Sequence, residues 1–327
     1  MSKMSKNIFI TGAAGFIGFH LARQLAQRGD RVIGFDNFNP YYDPRLKRDR
    51  AKELAKLGIA IIEGDIQDFE LLEKAILEHH TTHLVHLAAQ AGVRYSLQQP
   101  YAYLKTNVDG FLNILEICRA HPSLKLTYAS SSSVYGLNKK VPFSLDDRTD
   151  HQASLYGVTK KTNELMAQTY HHLFGISSTG LRFFTVYGPW GRPDMAYFSF
   201  ANAIVEGKPI EIFNRGQMMR DFTYIDDIVD GTMAAIDREM PCALFNLGHH
   251  KPEQLLHFVA ILEKELGRKA QKILLPMQSG DVVATYADIQ ESAEQLNFTP
   301  KIGIEEGLAR FVEWYKEYYH FKIKDVQ

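Results

Sequence analysis

Through the first 185 residues, short apolar runs alternate with stretches whose apolar positions recur every three or four residues. The runs at 7–11, 31–35, 59–63, 83–87, 124–129 and 177–183 predict strands. The stretches at 16–28, 45–57, 69–78, 101–120 and 154–173 predict helices, the first with Ile17, Leu21 and Leu25 along one face. Strands that are apolar at nearly every position are buried on both faces, and intervening helices make their sheet parallel. The expected architecture is therefore α/β, with a doubly wound parallel-sheet domain over residues 1–185. Beyond Tyr187 the rhythm changes, and Pro189, Gly191, Pro193, Lys208-Pro209 and Gly216 punctuate shorter elements. A helix at 225–237 and a strand at 243–247 are expected to return to the main sheet, so 226–248 belongs with the first domain. Helices at 252–266, 288–296 and 304–315 predict a smaller, mostly helical lobe within a second unit, 186–327. A ligand is expected in the cleft between lobe and sheet.

A chain of 327 residues is long enough for a large core in two lobes. The formal net charge is −1, with both signs interspersed, which argues against nucleic acid or an anionic membrane as the main partner. No stretch approaches the ~20 apolar residues of a membrane span. No apolar run precedes Asn7, so no secretion signal is expected and a cytoplasmic location is. Cys118 and Cys242 lie in apolar stretches without metal-like spacing and are expected as buried thiols in a reducing compartment. The pairs His79-His80, His171-His172 and His249-His250 place adjacent side chains, which diverge on a helix; no metal site is expected.

The segment Gly12-Ala13-Ala14-Gly15-Phe16-Ile17-Gly18 sits between the first strand and the first helix. Gly12 permits the tight turn, Gly15 lets backbone approach a pyrophosphate, and Gly18 lets helix and sheet pack closely. The anion would rest on the amides and positive dipole of the helix start, at Phe16 and Ile17. The competing reading is a glycine-rich connection with no ligand. Asp36 closes the second strand, 18 residues after Gly18, where a carboxylate can accept both ribose hydroxyls and repel a 2′-phosphate. Asn37 follows it, not an arginine, so the expected cofactor is NAD rather than NADP.

Tyr156 and Lys160 are four residues apart, about one helical turn, which puts phenol and ammonium on one face. A nearby ammonium favours phenolate and lowers a tyrosine from its usual pKa of ~10, making it a usable general base. The serine run Ser130-Ser131-Ser132-Ser133 stands about 25 residues upstream.

Together TGAAGFIG (11–18), GDIQD (64–68), HLAAQAGVRYS (86–96), ASSSSVYG (129–136), YGVTK (156–160), LRFFTVYGPWGRPDM (181–195) and MRDFTYIDD (219–227) resemble the extended short-chain dehydrogenase/reductase family, specifically its nucleotide-sugar epimerases. The likeness spans nearly the whole chain and implies a Rossmann domain binding NAD. It implies that Asp65 and Ile66 flank the adenine, and that Leu87, Ala88 and Ala89 line the pyrophosphate and ribose with Asn107 nearby. It further implies that Lys160 holds the nicotinamide ribose and that Phe183 lies close to the nicotinamide. AGVRYS, GPWGRPDMA and MQSGDV resemble the members that invert C4 of UDP-glucuronate through a transient 4-keto sugar.

By that resemblance Tyr156 is the base, Lys160 its partner, and Ser131 the serine that bonds the sugar 4-oxygen; a strand-end serine capping backbone is the competing reading for Ser131. Related 4,6-dehydratases carry an acidic pair at the places of Ser132 and Ser133, and the decarboxylases a glutamate at that of Ser133. Neutral hydroxyls there cannot supply that acid or base, but with Thr185 they can hold a carboxylate. Arg94 and Arg192 are the cationic candidates for the same carboxylate, against the reading of each as a surface arginine paired with an acid. Arg220 suits the diphosphate, unless it pairs with Asp221. Phe213 stacks on uracil or belongs to the core. Gln278 stands where the UDP-galactose epimerases carry arginine, which leaves Asp281 for the uridine ribose.

The family pairs the helices at 101–120 and 154–173 with their copies, so a homodimer is expected, with Phe111, Leu112, Leu115, Leu165 and Met166 supplying apolar surface. The substrate expected is a UDP-sugar, with UDP-glucuronate foremost. A UDP-glucose or UDP-N-acetylglucosamine 4-epimerase, a one-way reductase or decarboxylase, and an idle NAD-sensing protein are the alternatives.

Overall fold

The computed structural model describes residues 5–277 and 284–321. The chain runs through β1 (Asn7–Thr11), α1 (Phe16–Arg28), β2 (Arg31–Asp36), α2 (Arg45–Ala55), β3 (Ile61–Glu63), α3 (Phe69–Glu78) and β4 (His83–His86). Two short helices, α4 (Tyr95–Gln98) and α5 (Pro100–Tyr103), lead through a π-helical stretch, Leu104–Asp109, into α6 (Gly110–Ala120). Then come β5 (Lys125–Ser131), a 3-10 turn at Ser132–Tyr135, α7 (Leu155–Phe174) and β6 (Ser178–Phe183). The remainder comprises β7 (Thr185–Tyr187), α8 (Ala196–Glu206), β8 (Pro209–Ile212), β9 (Met219–Tyr224), α9 (Ile225–Arg238), β10 (Cys242–Leu247), β11 (Pro252–Gln254), α10 (Leu255–Leu266), β12 (Gln271–Leu274), β13 (Ala284–Thr285), α11 (Gln290–Leu296) and α12 (Ile304–Tyr318).

Seven strands form one sheet in the order β10-β6-β5-β4-β1-β2-β3, every pair parallel. The apolar runs have the cause expected of them. Ile8 and Ile10 face a core shared with α1 and α9, while Phe9 faces a second core shared with α3 and α6. The direction of winding reverses between β1 and β4, and in such sheets the crevice beyond the strands' carboxyl ends takes the ligand. β10 adds to the far edge beside β6. Beside its helices, the second half carries a small sheet of β7, β9, β11 and β13 and a two-stranded pair of β8 with β12.

Several elements depart from the pattern. The expected helix at 101–120 is interrupted by π-helical turns, which widen the ladder at Asn107; π-turns inside helices often mark functional positions. Residues 252–254 form an edge strand on β9, because Pro252 pairs with Asp221, and the helix starts only at Leu255. Cys118 is buried, its thiol pushed up to about 12 by that burial, but Cys242 opens an edge strand and is exposed. Phe111 and Leu115 point inward against the sheet rather than outward, whereas Leu112 and Leu165 are exposed.

Candidate active site

The turn after β1 is built from close backbone approaches. Gly12 adopts φ +74, its N–H donates to the Phe35 carbonyl at 2.7 Å, and Gly15 N–H donates back to Gly12 O at 2.9 Å. A Cβ on Gly12 would meet Ala88 N at 2.7 Å and Leu87 C at 2.8 Å, and one on Gly18 would collide with the Gly12 carbonyl. The first amides of α1, from Phe16 and Ile17 on, have no side-chain cap. These N–H groups are the orphan donors of any helix start, and they suit a pyrophosphate. Asp36 is buried at the end of β2, where Oδ2 accepts Ala14 N–H at 3.0 Å and Oδ1 accepts Phe38 N–H at 2.8 Å. Asn37 donates to Asp65 Oδ2 at 2.8 Å, and Ile66 packs under Gly110. The glycine turn, the start of α1, Asp36 and the Asn37–Asp65 pair lie together past the ends of β1, β2 and β3, and glycine cradle, helix start and acidic strand end fit NAD. Lys47, with Nζ 3.7 Å from Asp36 Oδ1, joins them without any signal in the motif.

The loop after β4 is pinned from beneath. The side chain of Asn107 accepts Gln90 N–H at 2.8 Å and donates to Gln90 O at 3.0 Å and Thr159 Oγ1 at 3.0 Å. That holds Leu87, Ala88 and Ala89 against α7. Buried His86 shares a hydrogen bond with Thr11 Oγ1 at 2.8 Å through Nδ1; burial first, then the charge of Lys160, push its imidazole down to about 3, so it is neutral.

Ser131 ends β5 and Phe183 ends β6, side by side in register. Tyr156 lies in the first turn of α7, which Ser154 caps by accepting Gly157 N–H at 3.1 Å. The Ser131 hydroxyl bonds the Tyr156 phenol and also contacts Ser133 Oγ at 3.2 Å. Lys160 is buried and donates to Ala129 O at 2.8 Å. The expectation that Lys160 lowers the tyrosine is corrected here. Burial pushes the phenol above its ordinary value, and the groups that oppose this are Arg192, by its charge, and Ser131, by its hydrogen bond. Lys160 is itself pushed down to about 8 by burial, with the Glu164 charge pulling it back up.

That glutamate belongs to a buried network which the motifs do not announce. Arg182 donates to both Glu164 oxygens, at 2.8 and 2.9 Å, and to the Tyr135 hydroxyl at 2.9 Å. Ser130 donates to Glu164 Oε1 at 2.6 Å, and Tyr135 to Asn246 Oδ1 at 2.7 Å. Burial would raise the Glu164 carboxyl, but the Arg182 bonds and charge and the Ser130 bond hold it below the usual carboxylate range.

On the substrate side, Ser132 and Ser133 form the half-buried start of the 3-10 turn, and Thr185 opens β7. Arg192 acts on Tyr156 by its charge, pairs bidentately with Asp194 at 3.1 and 2.6 Å, and sits 5.9 Å over the Tyr41 ring. Arg94 is placed elsewhere, 5.2 Å over the ring of Phe213, so these two candidates meet each other. Arg220 donates to Met219 O at 2.9 Å, while the Asp221 carboxylate takes the amides of His249, His250 and Ala287 and the Thr223 hydroxyl. Asp281, like Gln278, lies outside the described residues. Among the described residues no three His, Cys, Asp or Glu side chains converge as metal ligands, and no helix is long and apolar enough to cross a membrane.

A nucleotide cradle, a Ser-Tyr-Lys set and a reversal crevice define a class, and the chain belongs to the NAD dependent epimerase/dehydratase family, whose sequence model matches residues 8–248. It is 52% identical over 330 residues to UDP-glucuronate 4-epimerase 4 of Arabidopsis thaliana, covering 95% of this chain and 76% of that one. The UDP-glucuronic acid 4-epimerase of Bacillus cereus, solved with UDP-glucuronic acid and NAD, has a TM-score of 0.88 and 35% identity, with 95% of this chain and 99% of that chain covered. UDP-glucose 4-epimerase of Thermotoga maritima, solved with UDP-glucose, has a TM-score of 0.86 and 29% identity, with the same coverage of both chains.

Proposed function

We propose that this enzyme inverts C4 of UDP-glucuronate to give UDP-galacturonate, with NAD as resident cofactor. The observation that carries this is the neutral serine run Ser131-Ser132-Ser133 beside Tyr156, with Arg192 acting on the same phenol. NAD when bound supplies the acceptor and donor of the C4 hydride. Residues 1–185 hold it, through Gly12, Gly15, Gly18, Asp36 and Asp65, and 186–327 hold the sugar nucleotide.

As the phenolate, the form that the charge of Arg192 and the Ser131 hydrogen bond favour against burial, Tyr156 Oη takes the proton of the 4-hydroxyl and later returns it. Ser131 Oγ, already bonded to the phenol, bridges it to the 4-oxygen. Inversion requires the 4-keto sugar to present its other face, so the site must let the ring turn while keeping hold of it. A β-keto acid loses carbon dioxide readily, so the carboxylate must be restrained meanwhile. Ser132, Ser133 and Thr185 offer hydroxyls, and Arg192 offers the charge; bonds to charged groups contribute ~1.5–3 kcal/mol each. The Arg192–Asp194 pair uses Nε and Nη2, which leaves Nη1 outside that pairing. Arg94 and Phe213, stacked together, form a platform suited to uracil, with Arg220 for the diphosphate.

The protein is further proposed to be a cytoplasmic homodimer. Leu97, Tyr101, Leu104, Leu112, Leu165 and Leu173 leave apolar surface exposed along α4 to α7, more than scattered surface residues account for. The unpaired thiols of Cys118 and Cys242 suit a reducing compartment.

Product analysis with UDP-glucuronate, UDP-glucose and UDP-N-acetylglucosamine side by side tests the function. The expected result is efficient interconversion of the two UDP-hexuronates with little turnover of the neutral sugars. Preference for a neutral sugar, or a pentose as main product, would overturn it.

A further inference from the structure

Arg192 sits at the end of a loop, 188–192, whose backbone is held to the cofactor half at three consecutive carbonyls. His20 on α1 bonds Pro189 O at 2.9 Å. Arg50 on α2 donates to Trp190 O from Nε at 3.0 Å and Nη2 at 2.5 Å, and to Gly191 O from Nη2 at 2.9 Å. Its Nη1 donates to Ala14 O at 2.9 Å, within the glycine turn, and to the Tyr42 hydroxyl at 2.7 Å. All five N–H groups of this guanidinium are thereby used. The side chain is fully buried, and its bonds among the described residues go to carbonyls and a hydroxyl, none to a carboxylate.

Such a group is costly as mere filling. A charge removed from water without a counter-charge is tolerated only when every donor is matched, and an apolar side chain would fill the space without that cost. What the fork adds is geometry. The loop is also in a conformation that needs holding: Trp190 has φ +59, in the left-handed region, and Gly191 is pressed onto the Tyr197 hydroxyl so that no Cβ fits. His20, pushed down to about 3 by burial, is neutral, so its Nε2–H is the donor to Pro189. One rigid fork therefore joins the turn that cradles the cofactor to the backbone next to Arg192.

We propose that Arg50 is a positioning residue for the substrate site: it locks loop 188–192 onto the cofactor turn and so sets where Arg192 meets the sugar carboxylate. His20 is the second hold on the same loop. This rests on the reading of Arg192 as the carboxylate anchor.

NAD-loaded Tyr156→Phe protein lacks the proposed base, so calorimetry in that background reads binding apart from chemistry. Adding Arg50→Lys, which keeps the charge but loses the fork, should weaken UDP-glucuronate binding roughly 10- to 100-fold, since small misplacements of a site carry effects of that order. Binding of UDP alone should hardly change. With Arg192→Leu already present, Arg50→Lys should add little, because coupled groups are not additive. Equal weakening of UDP and UDP-glucuronate, no weakening in folded protein, or a full extra loss on top of Arg192→Leu would each overturn the role of Arg50. If Arg192→Leu alone leaves UDP-glucuronate binding intact, the anchor reading falls, and this proposal with it. Should Arg50→Lys not fold, His20→Phe releases Pro189 without touching a buried charge. It should weaken UDP-glucuronate more than UDP, and equal effects would again overturn the proposal.

Discussion

At the scale of single residues, the two arginines first considered for the carboxylate separate by environment. Arg192 acts on Tyr156, whereas Arg94 lies over Phe213. Arg192→Leu should therefore raise KM for UDP-glucuronate far more than for UDP-glucose. Loss of one partner of a buried charge contact costs ~2–5 kcal/mol, less here because the side chain keeps some exposure. Arg94→Leu should weaken both substrates alike. Steady-state kinetics of the two variants on both sugars check this, and the reverse assignment would show as the reverse pattern. Lys160 gives a second residue-level test. Burial holds its ammonium near 8, and the opposing influence is the Glu164 carboxylate one turn on; His86 close by is neutral. Glu164→Gln removes a negative charge and leaves Arg182 uncompensated, and both changes disfavour the ammonium. The Lys160 Cε resonance of lysine-labelled protein should titrate near pH 8 in the parent and at lower pH in the variant. An unchanged or higher midpoint would contradict the assignment.

At the scale of elements, β1, β2 and β4 were legible because a strand buried on both faces leaves a short, largely apolar run; β5 and β6 are buried too but carry polar Thr127, Ser130, Thr179 and Arg182. The glycine turn was legible because its conformation and its close approach to Ala88 exclude a side chain. The π-turns at Leu104–Asp109 were not, since the residues there suit an ordinary helix and only the tie of Asn107 to Gln90 explains the wider ladder. The edge strand Pro252–Gln254 was hidden for a similar reason: its pairing partner on β9 is remote in sequence. The outward faces of helices α6 and α7 predict a dimer. Leu165 is 51% exposed on α7 and Leu112 40% exposed on α6, while their neighbours Phe111 and Leu115 are fully buried in the protomer. Sedimentation of the parent at micromolar concentration should give a dimer mass, and Leu165→Asp should shift it toward monomer with the fold retained. A parent that sediments as a monomer would remove the dimer from the account.

At the scale of the whole molecule, the sequence carried the chemistry better than its supports. Tyr156, Lys160, Ser131 and the glycines announce themselves by spacing. Arg50, Glu164 and Arg182 look like ordinary surface charges until folding brings Ala14, Trp190 and Ser130 to them from distant parts of the chain. Arg50 joins the cofactor turn to the substrate half, and the Glu164–Arg182 pair ties α7 to β5 and β6, so that one crevice can hold a ketone in place through two opposite hydride transfers. The central claim is that the hydrogen leaving C4 returns to C4. UDP-glucuronate deuterated at C4, converted in ordinary water and followed by mass spectrometry and proton NMR, tests it most directly. The account predicts UDP-galacturonate that keeps the deuterium at C4 with no added oxidant; washout of the label into solvent, or release of an unlabelled UDP-pentose in its place, would contradict it.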